Sequence, residues 1–286
     1  MDKISLDTLQ RMKKRQQPIT MVTAYDYPTA RLVDDAEVEI ALVGDSLGMV
    51  VHGFSSTLPV TMDMMILHTQ AVRRGLKRAL LVADMPFMSY QTTPEDALRN
   101  AARFLQEGGA DAIKIEGGQT MATTIRRIVD AGIAVMGHVG LTPQSISAFG
   151  GFRVQGKTIE TARKIIADAK AVEAAGAFSI VIEGVPAPLA AEITKRVSIP
   201  TIGIGAGAGC DGQVLVIHDI LGLYSEYAPK FVKQYARLDQ AIREAIVAFR
   251  EDVRARQFPT DEHVYNIKPE VWDEIIKSLD AEDWRD

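Results

Sequence analysis

The 286 residues predict an α/β chain folded as a (β/α)₈ TIM barrel, and three observations carry that prediction. Eight short apolar runs alternate with helix-like stretches almost end to end. The runs are unbroken, as in 79–83, 133–138, 179–182 and 214–217, which is how strands buried on both faces of a parallel sheet read. No Pro/Gly/Ser-rich linker or shift in composition divides the series, so 1–286 reads as one domain. A doubly wound sheet shares the βαβ pattern, but eight units fit the barrel.

The elements follow in order. Within 1–17, an amphipathic helix over 5–15 is suited to plug the barrel bottom. Strand one spans 18–24, with a short helix over 29–35, and strand two spans 39–43. Thr61 and Asp63 cap a helix over 63–76. Strand three is 79–83, and Thr93 caps the next helix, with Pro94 in the first helical position, where its missing N–H costs nothing. Strand four is 111–115, then a helix over 120–130, strand five at 133–138 and a long helix over 158–175. Strand six is 178–182, with a helix over 187–197, and strands seven and eight are 200–204 and 214–217. Residues 238–286 form a C-terminal helical extension, with helices over 238–257 and 269–279.

Composition narrows the function. Hydrophobic residues are 47% and charged residues 24%, which excludes disordered and fibrous classes. A net charge of −5 without a long basic run, Lys13-Lys14-Arg15 being the nearest to one, argues against a nucleic-acid partner. Cys210 is the only cysteine, so neither an internal disulfide nor a multi-cysteine metal site is possible. No stretch nears the roughly 18 apolar residues of a membrane span. The charged N-terminus lacks a signal-peptide core, so a cytoplasmic, membrane-free setting is expected.

In a barrel the C-terminal strand ends form the active face. They carry Tyr25-Asp26, Asp45-Ser46, Asp84, Lys114 and Glu116, His138, Glu183, Gly203 and Gly205, and His218-Asp219. Asp45, Asp84 and Glu116 offer oxygens to one hard ion such as Mg²⁺, or else cap helices and pair with Lys114. Lys114 and Glu116 lie two apart, so they share a strand face opposite Ile113 and Ile115. Lys114 there meets a substrate carboxylate, an enolate or Glu116 itself. Glu183 reads as a general base or as a helix cap. His138 is a proton shuttle, a donor to a substrate oxygen, or a satisfied core histidine. Gly207, Gly209 and Gly212 spell GxGxxG, but a strand follows, so a ligand-hugging, phosphate-type loop is the better reading than a dinucleotide site. The segment 149–157 reads as a lid or a plain surface loop.

Several segments together resemble the ketopantoate hydroxymethyltransferase family. They are TAYDYPTA from Thr23, VGDSLGMVVHG from Val43, VADMPF from Val82, AIKIEGG from Ala112, GHVGLTPQ from Gly137, GGFRVQGK from Gly150, VIEGVP from Val181 and GIGAGAGCDGQVLV from Gly203. The resemblance implies a barrel of the phosphoenolpyruvate/pyruvate type. It also implies transfer of a hydroxymethyl group from 5,10-methylenetetrahydrofolate to 3-methyl-2-oxobutanoate, giving 2-dehydropantoate for pantothenate and coenzyme A. By matching motif it implies Asp45, Asp84 and Glu116 as the Mg²⁺ set. Asp45, Ser46, Asp84 and Lys114 become keto-acid contacts, with Glu183 as proton acceptor and His138 as an auxiliary group. Family members are cytoplasmic homo-oligomers, commonly decamers. Two other readings stand beside it: a carbon–carbon lyase of the same superfamily, and a non-catalytic anion-binding barrel. The lyases resemble one another in a cysteine after strand four, where this chain has Glu116-Gly-Gly.

Overall fold

A computed structural model describes residues 2–145, 151, 153–223 and 229–281. Eight parallel strands close in chain order, with β8 pairing back onto β1. They are β1 (Ile19–Thr23), β2 (Ile40–Val43), β3 (Leu80–Asp84), β4 (Ala112–Glu116), β5 (Val135–Gly140), β6 (Ser179–Glu183), β7 (Thr201–Ile204) and β8 (Gly212–Leu215). The helices around them are α1 (Leu6–Lys14), α2 (Tyr27–Asp35), α3 (Leu47–Val50), α4 (Met62–Gly75), α5 (Pro94–Gln106), α6 (Ala122–Asp130), α7 (Ile159–Ala174), α8 (Ala187–Arg196) and α9 (Ile217–Ile220). The chain forms two compact units, Met1–Ala236 and Arg237–Asp286. The second holds α10 (Leu238–Arg254) and α11 (Pro269–Ala281), neither with a buried residue.

Strand periodicity sorts the apolar residues into two cores. Ile113 and Ile115 face outward into the cluster shared with the helices, beside Ile125, Ile180 and Ile182. Met21, Leu42, Val82, Met136, Val181 and Ile202 point inward and fill the barrel. Ile4 and Leu9 join this inner cluster, so α1 does plug the barrel. Thr61 and Thr93 cap as expected, each accepting a backbone N–H of the first turn, and Thr158, expected inside its helix, also caps it.

Two elements differ from expectation. The eighth strand ends at Leu215, because the Ile217 N–H turns to Thr23 Oγ1 at 2.9 Å and starts α9. The four-residue α3 was not foreseen; it is too short to show a helical period.

Asp34, at the end of α2, ties that helix to the entry of β3. Its carboxylate accepts the N–H groups of Lys77 (2.9 Å), Arg78 (3.0 Å) and Ala79 (2.8 Å). Partial burial pushes the carboxyl up, but these three donors and the Arg78 charge outweigh it and hold it below its ordinary value. The contribution is therefore present above the unfolded value near 3.8 and disappears as pH falls through the lowered folded value. Asp34→Ala should cost about 2 kcal/mol at neutral pH. In urea unfolding that gap should narrow as the pH falls below the ordinary carboxylate value; a loss that does not depend on pH would discount the charge.

Candidate active site

The inward period that fills the barrel also builds its top. Val82, Ala112, Met136 and Val181 belong to the inner core. Two residues further along the same strands stand Asp84, Lys114, His138 and Glu183, and Glu116 is two beyond Lys114. Asp45 and Ser46 lead out of β2 into α3. All seven line one cavity of about 390 Å³. A second depression of about 570 Å³ lies on the outside of the barrel, over Arg126, Arg127 and Asp130, and holds none of these groups.

Lys114 Nζ lies 2.9 Å from Asp84 Oδ1 and 3.4 Å from His138 Nδ1. The Asp45 N–H donates to Asp84 Oδ2 at 3.1 Å. His138 Nε2 is 3.1 Å from Glu183 Oε2, and its Nδ1 is 3.6 Å from Glu116 Oε1. Ser46 Oγ shares a 2.8 Å hydrogen bond with Tyr25 OH. The ring foreseen at the strand ends thus converges, with two exceptions. Asp26 turns away to cap α2, accepting Thr29 N–H at 2.7 Å. His218 and Asp219 sit on α9 rather than on a strand, and Asp219 alone of the two reaches the cavity.

Charge explains the chemistry. Burial and the neighbouring Asp84 and Glu116 carboxylates push Asp45 up to about 8. Burial pushes Lys114 down, but the surrounding Asp84, Glu116 and Asp45 outweigh it and keep the ammonium protonated. Burial and Lys114 likewise press on His138, yet the Glu116 and Glu183 carboxylates beside its two nitrogens raise it to about 9, so it is an imidazolium at neutral pH; the Glu183 contact is an ion pair without hydrogen-bond alignment. Asp84 Oδ1 has charge nearby but no directed donor: the 2.9 Å approach of Lys114 is an ion pair without hydrogen-bond alignment.

These observations test the fit of a cation. An orphaned buried carboxylate oxygen and an aspartate that resists ionisation are what a site short of positive charge shows. A hard divalent ion suits oxygen donors of this kind. Among the described residues no three His, Cys, Asp or Glu side chains converge as a ready cage. Mg²⁺ does not require one, because it binds through one or two carboxylates and completes its shell with water and substrate.

Sequence reasoning missed Gln144. Its backbone N–H donates to Glu116 Oε2 (3.0 Å), its Nε2 donates to Asp45 Oδ2 and Met85 O (both 2.9 Å), and its Oε1 accepts from Tyr90 OH (2.7 Å). It locks the two carboxylates that flank Lys114. The glycine loop also reads differently. At Gly207 and Gly209 a Cβ would strike Ala187 and Ala191 of α8, so those glycines serve close helix packing rather than a ligand, and only Gly205 reaches the cavity. Cys210 is half-buried and burial raises its thiol, as expected of an unreactive cysteine. Of the segment 149–157, residues 149, 150 and 152 lie outside the described residues, while Arg153 and Val154 line the cavity.

The family described as Ketopantoate hydroxymethyltransferase matches residues 3–261. A 3-methyl-2-oxobutanoate hydroxymethyltransferase of Carboxydothermus hydrogenoformans is 56% identical over 275 residues, covering 96% of this chain and 100% of its own. That of Pelobacter propionicus is 59% identical over 264 residues, covering 92% and 98%. Among solved structures, 2,3-dimethylmalate lyase, a PEP mutase/isocitrate lyase superfamily member, aligns with a TM-score of 0.57 at 17% identity, covering 98% and 99%. At that identity the likeness speaks for the barrel alone.

Proposed function

The chain belongs to the ketopantoate hydroxymethyltransferase family, and from that premise we propose how its strand-end groups carry the reaction. It is a hydroxymethyltransferase acting on 3-methyl-2-oxobutanoate to give 2-dehydropantoate, a step towards pantothenate, with 5,10-methylenetetrahydrofolate as the one-carbon donor. The single observation that carries the mechanism is a carboxylate, Glu183, in the same cavity as the Asp45, Asp84, Lys114 and Glu116 group and separated from Lys114 and Glu116 by one imidazole, His138.

Asp45, Asp84 and Glu116 would hold Mg²⁺. When bound, it supplies Lewis-acid withdrawal of charge from a ketone oxygen. Lys114 neutralises the negative charge that grows on that oxygen as the C3 proton leaves. Glu183 takes the proton. His138, an imidazolium 3.1 Å from Glu183 Oε2, sets its positive charge beside that carboxylate. Ser46 and Lys114 orient the keto acid, with Tyr25 fixing the Ser46 hydroxyl. Water hydrolyses the donor's two C–N bonds, releasing tetrahydrofolate and a one-carbon aldehyde, and the carbanion equivalent at C3 adds to that C=O: a carbon–carbon bond forms, the carbonyl π pair moves to oxygen, and protonation of that oxygen gives the hydroxymethyl group.

The test is proton NMR of 3-methyl-2-oxobutanoate in D₂O with the enzyme. With Mg²⁺ the C3 proton signal should vanish and the methyl doublet collapse, and EDTA should stop both. No exchange with Mg²⁺ and tetrahydrofolate both present would rule out the enolisation step.

The remaining expectations concern assembly and location. Ile242, Ile246, Phe249 and Val253 make an exposed stripe along one face of α10, at the spacing of an apolar helix face that needs a partner. This supports a homo-oligomer, a decamer by family resemblance, which sedimentation would size. Among the described residues no helix is long and apolar enough to cross a membrane. A cytoplasmic setting, with small-molecule partners and no nucleic acid, fits that biosynthetic role.

A further inference from the structure

Outside the polar ring, two imidazoles face each other. His52 lies just past α3, and His68 sits on α4. Their Nε2 atoms are 3.1 Å apart. His68 Nδ1 lies 2.6 Å from the carbonyl oxygen of Tyr25. A carbonyl only accepts, so Nδ1 carries the proton and the lone pair of the neutral His68 ring sits on Nε2. The rings meet edge to face, with planes 83° apart, and Phe54 stacks on His52 with centroids 5.7 Å apart. Both ring orientations are therefore held from outside the pair.

We propose that His52 and His68 form a two-histidine site for a borderline divalent transition ion of the zinc, nickel or copper kind, chelated through both Nε2 atoms. Imidazole nitrogens bind such ions at about 2.0–2.1 Å, so two on one ion stand about 2.9 Å apart at a right angle and about 3.4 Å apart in a tetrahedron. The observed 3.1 Å falls between. The Tyr25 carbonyl is the kind of outer partner that metal-bound histidines rely on to fix the tautomer. Imidazoles select these ions over Mg²⁺, so the pair and the carboxylates of the cavity draw on different metals. No third His, Cys, Asp or Glu converges there among the described residues, so water completes the shell.

Position gives the site a consequence. Met49, Val50 and Thr57, on either side of His52, line the catalytic cavity. An ion on the pair staples that segment to α4, and through Tyr25 to the segment that fixes Ser46. The competing occupant of the gap is a single proton shared by the two rings.

The test is thermal unfolding with added Ni²⁺ in saturating Mg²⁺, so that the carboxylates are already served. At a hundredfold excess over its dissociation constant, Ni²⁺ should raise Tm by roughly 5 °C. His52→Gln and His68→Gln should each abolish that rise, while His263→Gln, in the C-terminal unit, should keep it. His52 is exposed, so its variant is expected to fold and to keep the Ni²⁺-free Tm. No rise at millimolar Ni²⁺ would mean the pair only shares a proton. An equal rise in both histidine variants would place the ion elsewhere. Either result overturns the proposal.

Discussion

Glu183→Gln is expected to lower kcat by about 10²–10⁴-fold, the usual contribution of a positioned general base. The substitution is nearly isosteric, and the glutamine oxygen can take the place of Glu183 Oε2, 3.1 Å from His138 Nε2. The barrel should therefore keep its fold. What disappears is the carboxylate that pairs with His138 in the cavity of the Asp84–Lys114 pair. The same variant should stop C3 proton exchange of 3-methyl-2-oxobutanoate with or without tetrahydrofolate, because exchange needs the base and not the donor. His138 does not replace it: raised to about 9, it is already protonated at neutral pH. A variant within threefold of wild type in both kcat and exchange would take Glu183 out of the chemistry.

The parts of this site that were legible in the sequence share one cause. A period of two along an apolar run fixes which side chains enter the barrel, so Asp84, Lys114, Glu116, His138 and Glu183 can be placed without coordinates. Asp45 and Ser46 needed only the end of β2. Gln144 was invisible to that logic. It lies in the loop after β5, where no period applies, and its importance comes from four partners far away in sequence. The glycines after β7 misled for the opposite reason. Glycine marks a close approach, but sequence does not say what approaches, and here helix α8 packs on the loop. His52 and His68 are sixteen residues apart on different elements, and only the fold brings their rings together.

Lys114→Met separates three roles that the sequence left open for this lysine. Methionine keeps most of the aliphatic stem and removes the charge. If the ammonium stabilises the enolate oxygen, kcat should fall by about 10²–10³-fold, the cost of losing one preorganised donor. If it only holds a substrate carboxylate, KM should rise while kcat survives. If it only balances Asp84 inside the barrel, the variant should lose stability and keep its turnover per folded molecule. The geometry favours the first. Lys114 Nζ is within 3.4 Å of the His138 ring that reaches Glu183, so its charge lies beside the path of the departing proton. A stability cost is expected as well, because breaking a buried pair leaves Asp84 without its 2.9 Å counter-ion. Asp45 sets its pH dependence. Already at about 8, it should move higher without Lys114 and bind a proton through the neutral range. A raised folded value means that stability is lost as pH rises through it, so the variant should be weakest in alkaline buffer and recover towards pH 5. A kcat within tenfold of wild type would leave the enolate charge to be met by the divalent ion alone.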